Sequence, residues 1–325
     1  MDILFKKYRI NKAKLLVLSE RRWRKNLEPF FGKKHTIEVS SDSLDSYVDW
    51  RQEAGAENGT INRELALLRH AFYIAFRSKP RKVFEVPNFS MLDENAARSC
   101  FVTDEQYEQL CHNCREPWMR AMIAAAYSFG FRLSELLDMK TQQIDLLART
   151  IRLEPGTTKN GKAREVKMTE EVYKVLLACV FGKNADALVF TRQNGKPIGD
   201  FRWDWWRLCV RAGLGHLSCR QCSKAAVNET VRRCSDCNVL LRYRGTIFHD
   251  FRRSAVRNMI RSGISRSVAM RISGHETESV FERYNIGREE DLTDAARRIE
   301  ERRKEALSLH QTRTNQSQSQ PILAN

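Results

Sequence analysis

Two neighbouring stretches, HDFRRSAVRNMIRSG (249–263) and RISGHETESVFERY (271–284), decide how this chain is read. In the first, His249 and Arg252 stand three residues apart, so on a helix both side chains project from one face and a phosphate could lie against both. Between 249 and 271 the arginines 252, 253, 257, 261, 266 and 271 face a single acid, Asp250, which makes the start of that helix strongly electropositive. In the second stretch Gly274 stops a helix, His275 falls in the turn, and Thr277 is placed to cap another helix carrying Tyr284. Val280, Phe281 and Tyr284 share a face there, and by itself that pattern describes a core aromatic. A lone His-x-x-Arg is equally weak.

Working upstream, FGFRLSELL (129–137) contains Arg132 and Glu135, a pair whose ordinary meaning is an ion pair on a helix surface. RTIRLE (149–154) and EVKM (165–168) read as strands joined across TTKNGKAR (157–164), with Asn160-Gly161 as the hairpin turn and Lys159 immediately before it. Each feature is unexceptional alone. In chain order, however, an arginine, a hairpin lysine, a His-x-x-Arg, a histidine and a tyrosine suit one reaction.

That ordered set resembles the tyrosine recombinase (phage integrase) family, and the resemblance runs from about residue 12 to residue 288. RRWRKNLEPFFG (21–32) and TINRELALLRHAF (60–72) resemble the family's core-binding domain. FRLSELL resembles its first arginine box, TTKNGKAREV its β-hairpin lysine, and HDFRR, SGH and FERY its second box. The nine-residue step from His275 to Tyr284 agrees with the family pattern, whereas Lys167 stands where the family usually has proline. The resemblance implies that Tyr284 is the nucleophile, becoming a 3′-phosphotyrosine, and that Arg132 and Arg252 grip the nonbridging phosphate oxygens. It implies hydrogen bonding and proton transfer by His249 and His275, protonation of the departing 5′ oxygen by Lys159, and a Glu135 that orients Arg132. Neither ATP nor a catalytic metal is required. The implied partners are double-stranded DNA, three further copies of the chain in a tetramer on that DNA, and accessory DNA-bending proteins. The implied role is integration or excision of a mobile element or prophage. A noncatalytic site-specific DNA-binding regulator and a type IB topoisomerase-like enzyme are the alternatives.

Composition agrees with a nucleic-acid partner. Among 325 residues, 56 Lys and Arg oppose 40 acids, a net charge of +16 and a pI near 9.6. A membrane is disfavoured, since the longest apolar stretch, AMIAAAYSFGF (121–131), is far short of the roughly 20 residues a spanning helix needs. The N-terminus lacks the apolar region of a signal peptide, so a cytoplasmic, DNA-associated protein is expected. Nine cysteines are odd in number and suit a reducing compartment.

The expected fold is mainly α with a small β-sheet (α+β): a helical core-binding, SAM-like domain followed by a mixed α/β catalytic domain. Residues 1–84 read as helices and carry 18 Lys/Arg against 10 acids. There TINRELALLRHAFYIAF (60–76) spaces Ile61, Leu65, Leu68, Phe72 and Phe76 on one face with Thr60 as cap, and SSDSLDSYVDWRQEAG ends at Gly55. Residues 85–99 read as a linker and 100–288 as the catalytic domain. Within the latter, ALVF (187–190) is a strand candidate, and FRWDWWRLCVRAG reads as a helix with Phe201, Trp205, Leu208 and Ala212 on one face. Residues 289–325 read as a charged helix, suited to docking on a neighbouring protomer, and a polar disordered tail. No internal repeat is expected.

CRQCSKAAVNETVRRCSDC (219–237) holds two Cys-x-x-Cys knuckles. Cys219, Cys222, Cys234 and Cys237 therefore read as four ligands of a structural Zn²⁺, within an insertion spanning 216–244. A closed four-cysteine site leaves no position for a substrate, so the motif does not name the chemistry. The insertion has six Lys/Arg and two acids, enough to suggest contact with phosphates. Cys111 and Cys114 form a single pair in an expected helix and read as ordinary cysteines.

Overall fold

The structure, a computed structural model, describes residues 1–13, 15–94, 100–153 and 163–282 and, between 293 and 304, all but 294 and 298. Two units divide the chain, Met1–Arg98 and Ser99–Asn325.

In the first unit the helical patterning becomes α1 (Asp2–Ile10), α2 (Leu16–Arg22), α3 (Glu28–Phe31), α4 (Ser41–Glu53) and α5 (Asn58–Arg77), with a π-helical turn at Trp23–Leu27 joining α2 to α3. Ser40 caps α4 through its hydroxyl, which accepts the Ser43 N–H at 3.3 Å. The cap of α5 differs from the sequence expectation. Glu57 is the N-cap residue, its carbonyl taking the N–H groups of Thr60 and Ile61, so Thr60 lies inside the first turn. Ile61, Leu65, Leu68 and Phe72 are buried as the spacing predicts, packing with Leu4, Leu27, Phe31, Leu44 and Tyr47. One carboxylate is sealed in this core. Glu64, fully buried, accepts from Asn26 at 2.6 Å, Tyr47 at 2.7 Å and Arg51 at 3.0 Å.

The segment expected as a linker has no helix or strand as far as residue 94, yet it is not loose. Phe89 is buried in the same core with Val86 and Leu92 packed against it, and the Asn62 side chain both donates to the Leu92 carbonyl and accepts its N–H, each at 2.9 Å.

The second unit contains α6 (Asp104–Asn113), α7 (Pro117–Phe129), α8 (Leu133–Leu137), α9 (Glu170–Val180), α10 (Arg202–Arg211), α11 (Asp250–Arg261), α12 (Arg266–Ser273) and α13 (Glu278–Glu282). The apolar run of 121–131 is explained by α7. Met119 and Ala121 through Ala126 are all buried, because this helix is the centre against which α9 and α11 pack. None of the described helices is long and apolar enough to cross a membrane.

Strands β1 (Ile144–Asp145), β2 (Thr150–Leu153) and β3 (Arg164–Lys167) form an antiparallel sheet in that order, with Thr150 opposite Lys167 and Leu153 opposite Arg164. ALVF, with Val189 and Phe190 buried and Ala187 and Leu188 half-buried, is not a strand. Leu188 makes one isolated bridge to Lys140 and Val189 one bond to Met139, so no ladder extends. A second, two-stranded ribbon pairs β4 (Gly215–Ser218) with β5 (Arg242–Gly245) and closes the cysteine-bearing insertion. The mainly α, small-sheet architecture matches the expected fold class.

Candidate active site

The chain turns sharply after α7, where Gly130 takes a left-handed φ of 67°, and Arg132 then caps α8. Glu135, in the first turn of α8, reaches back to accept the Arg132 backbone N–H and its guanidinium, both at 2.8 Å. What looked like a surface pair is therefore an interior one, with the Glu135 side chain 1% exposed and Arg132 17%. The second Arg132 nitrogen donates to the Gly274 carbonyl at 3.1 Å.

Arg252, on the first turn of α11, approaches the same turn from the opposite side. Only 2% exposed, it donates to the carbonyls of Gly130 and Ser273, and its other terminal nitrogen meets His275 Nε2 at 3.0 Å. The bond pattern fixes the His275 tautomer. The Ser273 hydroxyl donates to the Ala269 carbonyl at 2.7 Å, so it accepts from His275 Nδ1–H, also at 2.7 Å, leaving Nε2 as acceptor toward Arg252. Burial, followed by the charges of Arg252, Arg132 and Arg164, pushes His275 down to about 3, so the imidazole is neutral at physiological pH. Phe281, fully buried, meets the His275 ring edge-on at 5.6 Å and anchors α13; Val280, expected on the same face, is exposed.

His249 is the N-cap residue of α11 and, unlike Arg252, is exposed: two residues on one face lie at different depths. Partial desolvation and then the neighbouring Arg252 and Arg253 hold His249 below its ordinary value. Lys159, the Asn160-Gly161 turn and Tyr284 fall outside the described residues; Glu282 in α13 is the last described residue before the tyrosine.

One participant escaped the sequence reading. Arg164, on β3, donates to Glu135 at 2.7 Å and to the Ser273 carbonyl at 3.1 Å, and lies over the Phe131 ring at 5.1 Å. Strand alternation carries the signal: Val166 is buried, so Arg164, two residues away, must face inward and needs a partner. Glu135 answers two guanidiniums. Burial raises its carboxyl, but Arg164 and Arg132 outweigh that and hold it below the usual range. Gly274 is required twice, by a φ of 69° and because a Cβ would stand 1.7 Å from the Arg164 guanidinium.

The insertion forms a second constellation. The sulfurs of Cys219, Cys222, Cys234 and Cys237 all lie within 4.8 Å of one another, and Cys222 and Cys234 approach to 3.6 Å. Four sulfurs around a tetrahedral Zn²⁺ with 2.3 Å bonds would be about 3.8 Å apart, so the cluster fits that ion. The Cys222 and Gln221 amides draw the Cys219 thiol down to about 7, whereas the bond with Cys222 pushes Cys237 up to about 12, so in the absence of a metal the sulfurs do not ionise together. Contrary to the sequence expectation, the insertion contains a local structural repeat. In 217–226 and again in 232–241, the first cysteine's N–H bonds the carbonyl five residues on and its carbonyl accepts from four residues on. That fourth residue, Ser223 or Asn238, is left-handed in both, and the flanking bridges Ser218–Ala225 and Arg233–Leu240 correspond.

The sequence pattern of the phage integrase family matches residues 100–290, which contain every residue of the arginine and histidine cluster. The integrase of Salmonella phage P22 is 23% identical over 204 residues, covering 59% of this chain but 45% of the phage protein, so the match spans less than half of that relative. A tyrosine recombinase of Thermosipho africanus (strain TCF52B) is 23% identical over 272 residues, 82% of this chain and 77% of that one. Among solved structures, the Tn1549 transposon integrase in complex with a circular intermediate DNA superposes with a TM-score of 0.67, at 19% identity, covering 93% of this chain and 98% of that one, a likeness of fold. With the family pattern covering more than half of its residues, the chain belongs to the phage integrase family, the tyrosine recombinases.

Proposed function

We propose that this chain is a site-specific tyrosine recombinase that cuts and rejoins duplex DNA for the integration or excision of a mobile element. The observation that carries this reading is the convergence of Arg132, Arg252 and His275 on the Ser273–Gly274 turn, where Glu135 bonds the guanidiniums of Arg132 and Arg164 and Arg252 shares the Ser273 carbonyl with Arg164. The cluster carries surplus positive charge, suited to a phosphodiester and to the extra negative charge of its transition state. In this reading the Tyr284 oxygen forms a bond to phosphorus as the bond to the 5′ oxygen breaks. Arg132 and Arg252 hold the nonbridging oxygens, the neutral His275, its Nε2 accepting from Arg252, keeps that guanidinium in place, and the exposed His249 takes the phenolic proton. Lys159 protonates the leaving oxygen. Bond energy is kept in the phosphotyrosine, so a second strand can reverse the step without ATP.

The helical unit, with its excess of Lys and Arg, serves as the core-binding domain and makes its own contact with the duplex. Exchange between two duplexes breaks four phosphodiesters, and each chain supplies one tyrosine, so a homotetramer assembles on the DNA, with DNA-bending proteins as further partners. Such a protein works in the cytoplasm, on DNA. The four cysteines hold one structural Zn²⁺ that orders the insertion and takes no part in the reaction. One zinc per chain by elemental analysis, lost when Cys219 and Cys234 are replaced by serine, is the expected metal content; a metal-free native protein would refute it.

The decisive experiment uses a nicked duplex bearing the element's junction sequence. Wild-type protein accumulates a covalent DNA adduct on denaturing gels, and Tyr284→Phe forms none while still binding the duplex. Equal trapping by the two proteins, or none by the wild type, overturns the proposal.

A further inference from the structure

The basic residues of the insertion do not share one environment. Lys224 is paired with Asp236 at 2.9 Å, Arg233 donates to the Asn238 carbonyl at 2.6 Å, and Arg232 lies over the Trp203 ring at 4.5 Å. The insertion's other acid, Glu229, faces Arg211 at 3.7 Å. Both acids of 216–244 are thus engaged away from the ribbon, and among the described residues Arg242 and Arg244 have no carboxylate within ion-pair reach. Both are exposed.

Strand alternation decides where they point. Tyr243, between them, stacks on Trp206 at 5.4 Å with an interplanar angle of 9°, and its hydroxyl donates to the Thr246 carbonyl at 2.7 Å. Its cross-strand partner Leu217 is 2% exposed. Arg242 and Arg244 therefore stand on the opposite face of the ribbon, across from Ser218 and His216. That face is held in place. Trp205 donates to the Thr246 carbonyl at 2.9 Å, Arg232 and Glu229 brace the insertion on α10, and the backbone turns at Cys219 and Cys234 order its far end.

The ribbon also leads straight to the candidate active site. β5 ends at Gly245, and the four-residue step to His249 spans at most about 14 Å, close to the roughly 12 Å width of a major groove. A duplex whose phosphate lies at His249 and Arg252 has its neighbouring backbone within reach of the ribbon.

We propose that the exposed face of the β4–β5 ribbon, through Arg242 and Arg244, is a second contact on the DNA backbone, separate from the cleaved phosphate. The proposal rests on the recombinase reading and adds to it a purpose for the insertion. Two guanidiniums without counter-charge, on a rigid ribbon, complement phosphates by charge and by their fork of donors. They position the duplex and read no sequence.

Salt dependence tests this, because each phosphate contact releases counterions and contributes about 0.9 to the slope of log affinity against log salt. Binding of the full-length, metal-loaded chain to a fluorescein-labelled random-sequence duplex is followed by anisotropy across a potassium chloride series. Arg242→Gln with Arg244→Gln is expected to flatten the slope by about 1.8, and Arg242→Lys with Arg244→Lys to keep it, since counterion release counts charge. An unchanged slope in the glutamine pair, or an equal loss in the lysine pair, overturns the proposal; so does an unchanged slope with a weakened tetramer, which would assign the face to a neighbouring protomer. Adduct trapping by the unmutated chain, run alongside, separates the two claims. Intact trapping with an unchanged slope rejects the ribbon contact alone, and absent trapping with a flattened slope rejects the recombinase reading alone.

Discussion

Each unit of this chain buries one glutamate among donors, and the two are balanced differently. Glu64 in the helical unit meets one guanidinium, one phenol and one amide. Glu135 meets two guanidiniums and a backbone N–H, and a third guanidinium, Arg252, lies beyond it on the shared Ser273 carbonyl. Among the described residues, the first carboxylate bonds one guanidinium and the second bonds two. A carboxylate that merely ties helices together is matched one for one, whereas one that holds a site for an anion is outnumbered. The surplus is what separates a structural ion cluster from a functional one.

The sharpest way to break this comparison is Glu135→Gln. Arg132 and Arg164 can only donate, so an amide nitrogen at this position must face a donor and both guanidiniums lose their counter-charge. Removing one partner of a buried pair costs about 3–5 kcal/mol, roughly 6–20 °C in the melting of a unit this size. Differential scanning calorimetry should show the loss in the transition of the second unit. Glu64→Gln is expected to cost less, about 1–3 kcal/mol, because the Tyr47 hydroxyl and the Asn26 amide can both turn to accept, and Arg51, 14% exposed, can reach water. Equal losses in the two variants would erase the distinction.

The mildest effect vanishes at neutral pH. His275 sits at about 3 in the folded chain and near 6.5 when unfolded, so the unfolded state alone takes up a proton as the pH falls between those values. Stability should therefore decline on acidification below about 6.5, by at most about 1.4 kcal/mol per pH unit from this group. His275→Gln should show a shallower decline between pH 7 and pH 5 in thermal melts. An identical decline would mean that burial and the surrounding arginines do not set the histidine's charge.

Much of this was legible in the sequence, for identifiable reasons. Arg132, His249, Arg252 and His275 stand out through fixed spacings, and the cysteine pairs because their ligand geometry is local to nineteen residues. What stayed hidden depends on contacts between distant segments. Arg164 gains its meaning only when β3 meets α8 and the turn after α12, and the Glu135 pair could not be placed in the interior before Gly274 was seen to cover it. ALVF has the apolar character of a strand but its pairing stops at a single isolated bridge. The doubled knuckle was missed because apart from its cysteines the two copies share little sequence; the repeat lives in backbone bonds.

The ribbon that closes the insertion carries one more consequence. Gly215 and Gly245 are paired across its base, and the missing side chains let the strands touch, since a Cβ on Gly245 would stand 2.4 Å from the Gly215 Cα. Entrance and exit of the insertion are therefore about one strand spacing, roughly 5 Å, apart. A segment that leaves and returns through so narrow a doorway can be gained or shed by a lineage, or by a protein engineer, with a tight turn closing the gap behind it. The four-cysteine element is in this sense a cassette, joined to the rest of the fold at a single doorway.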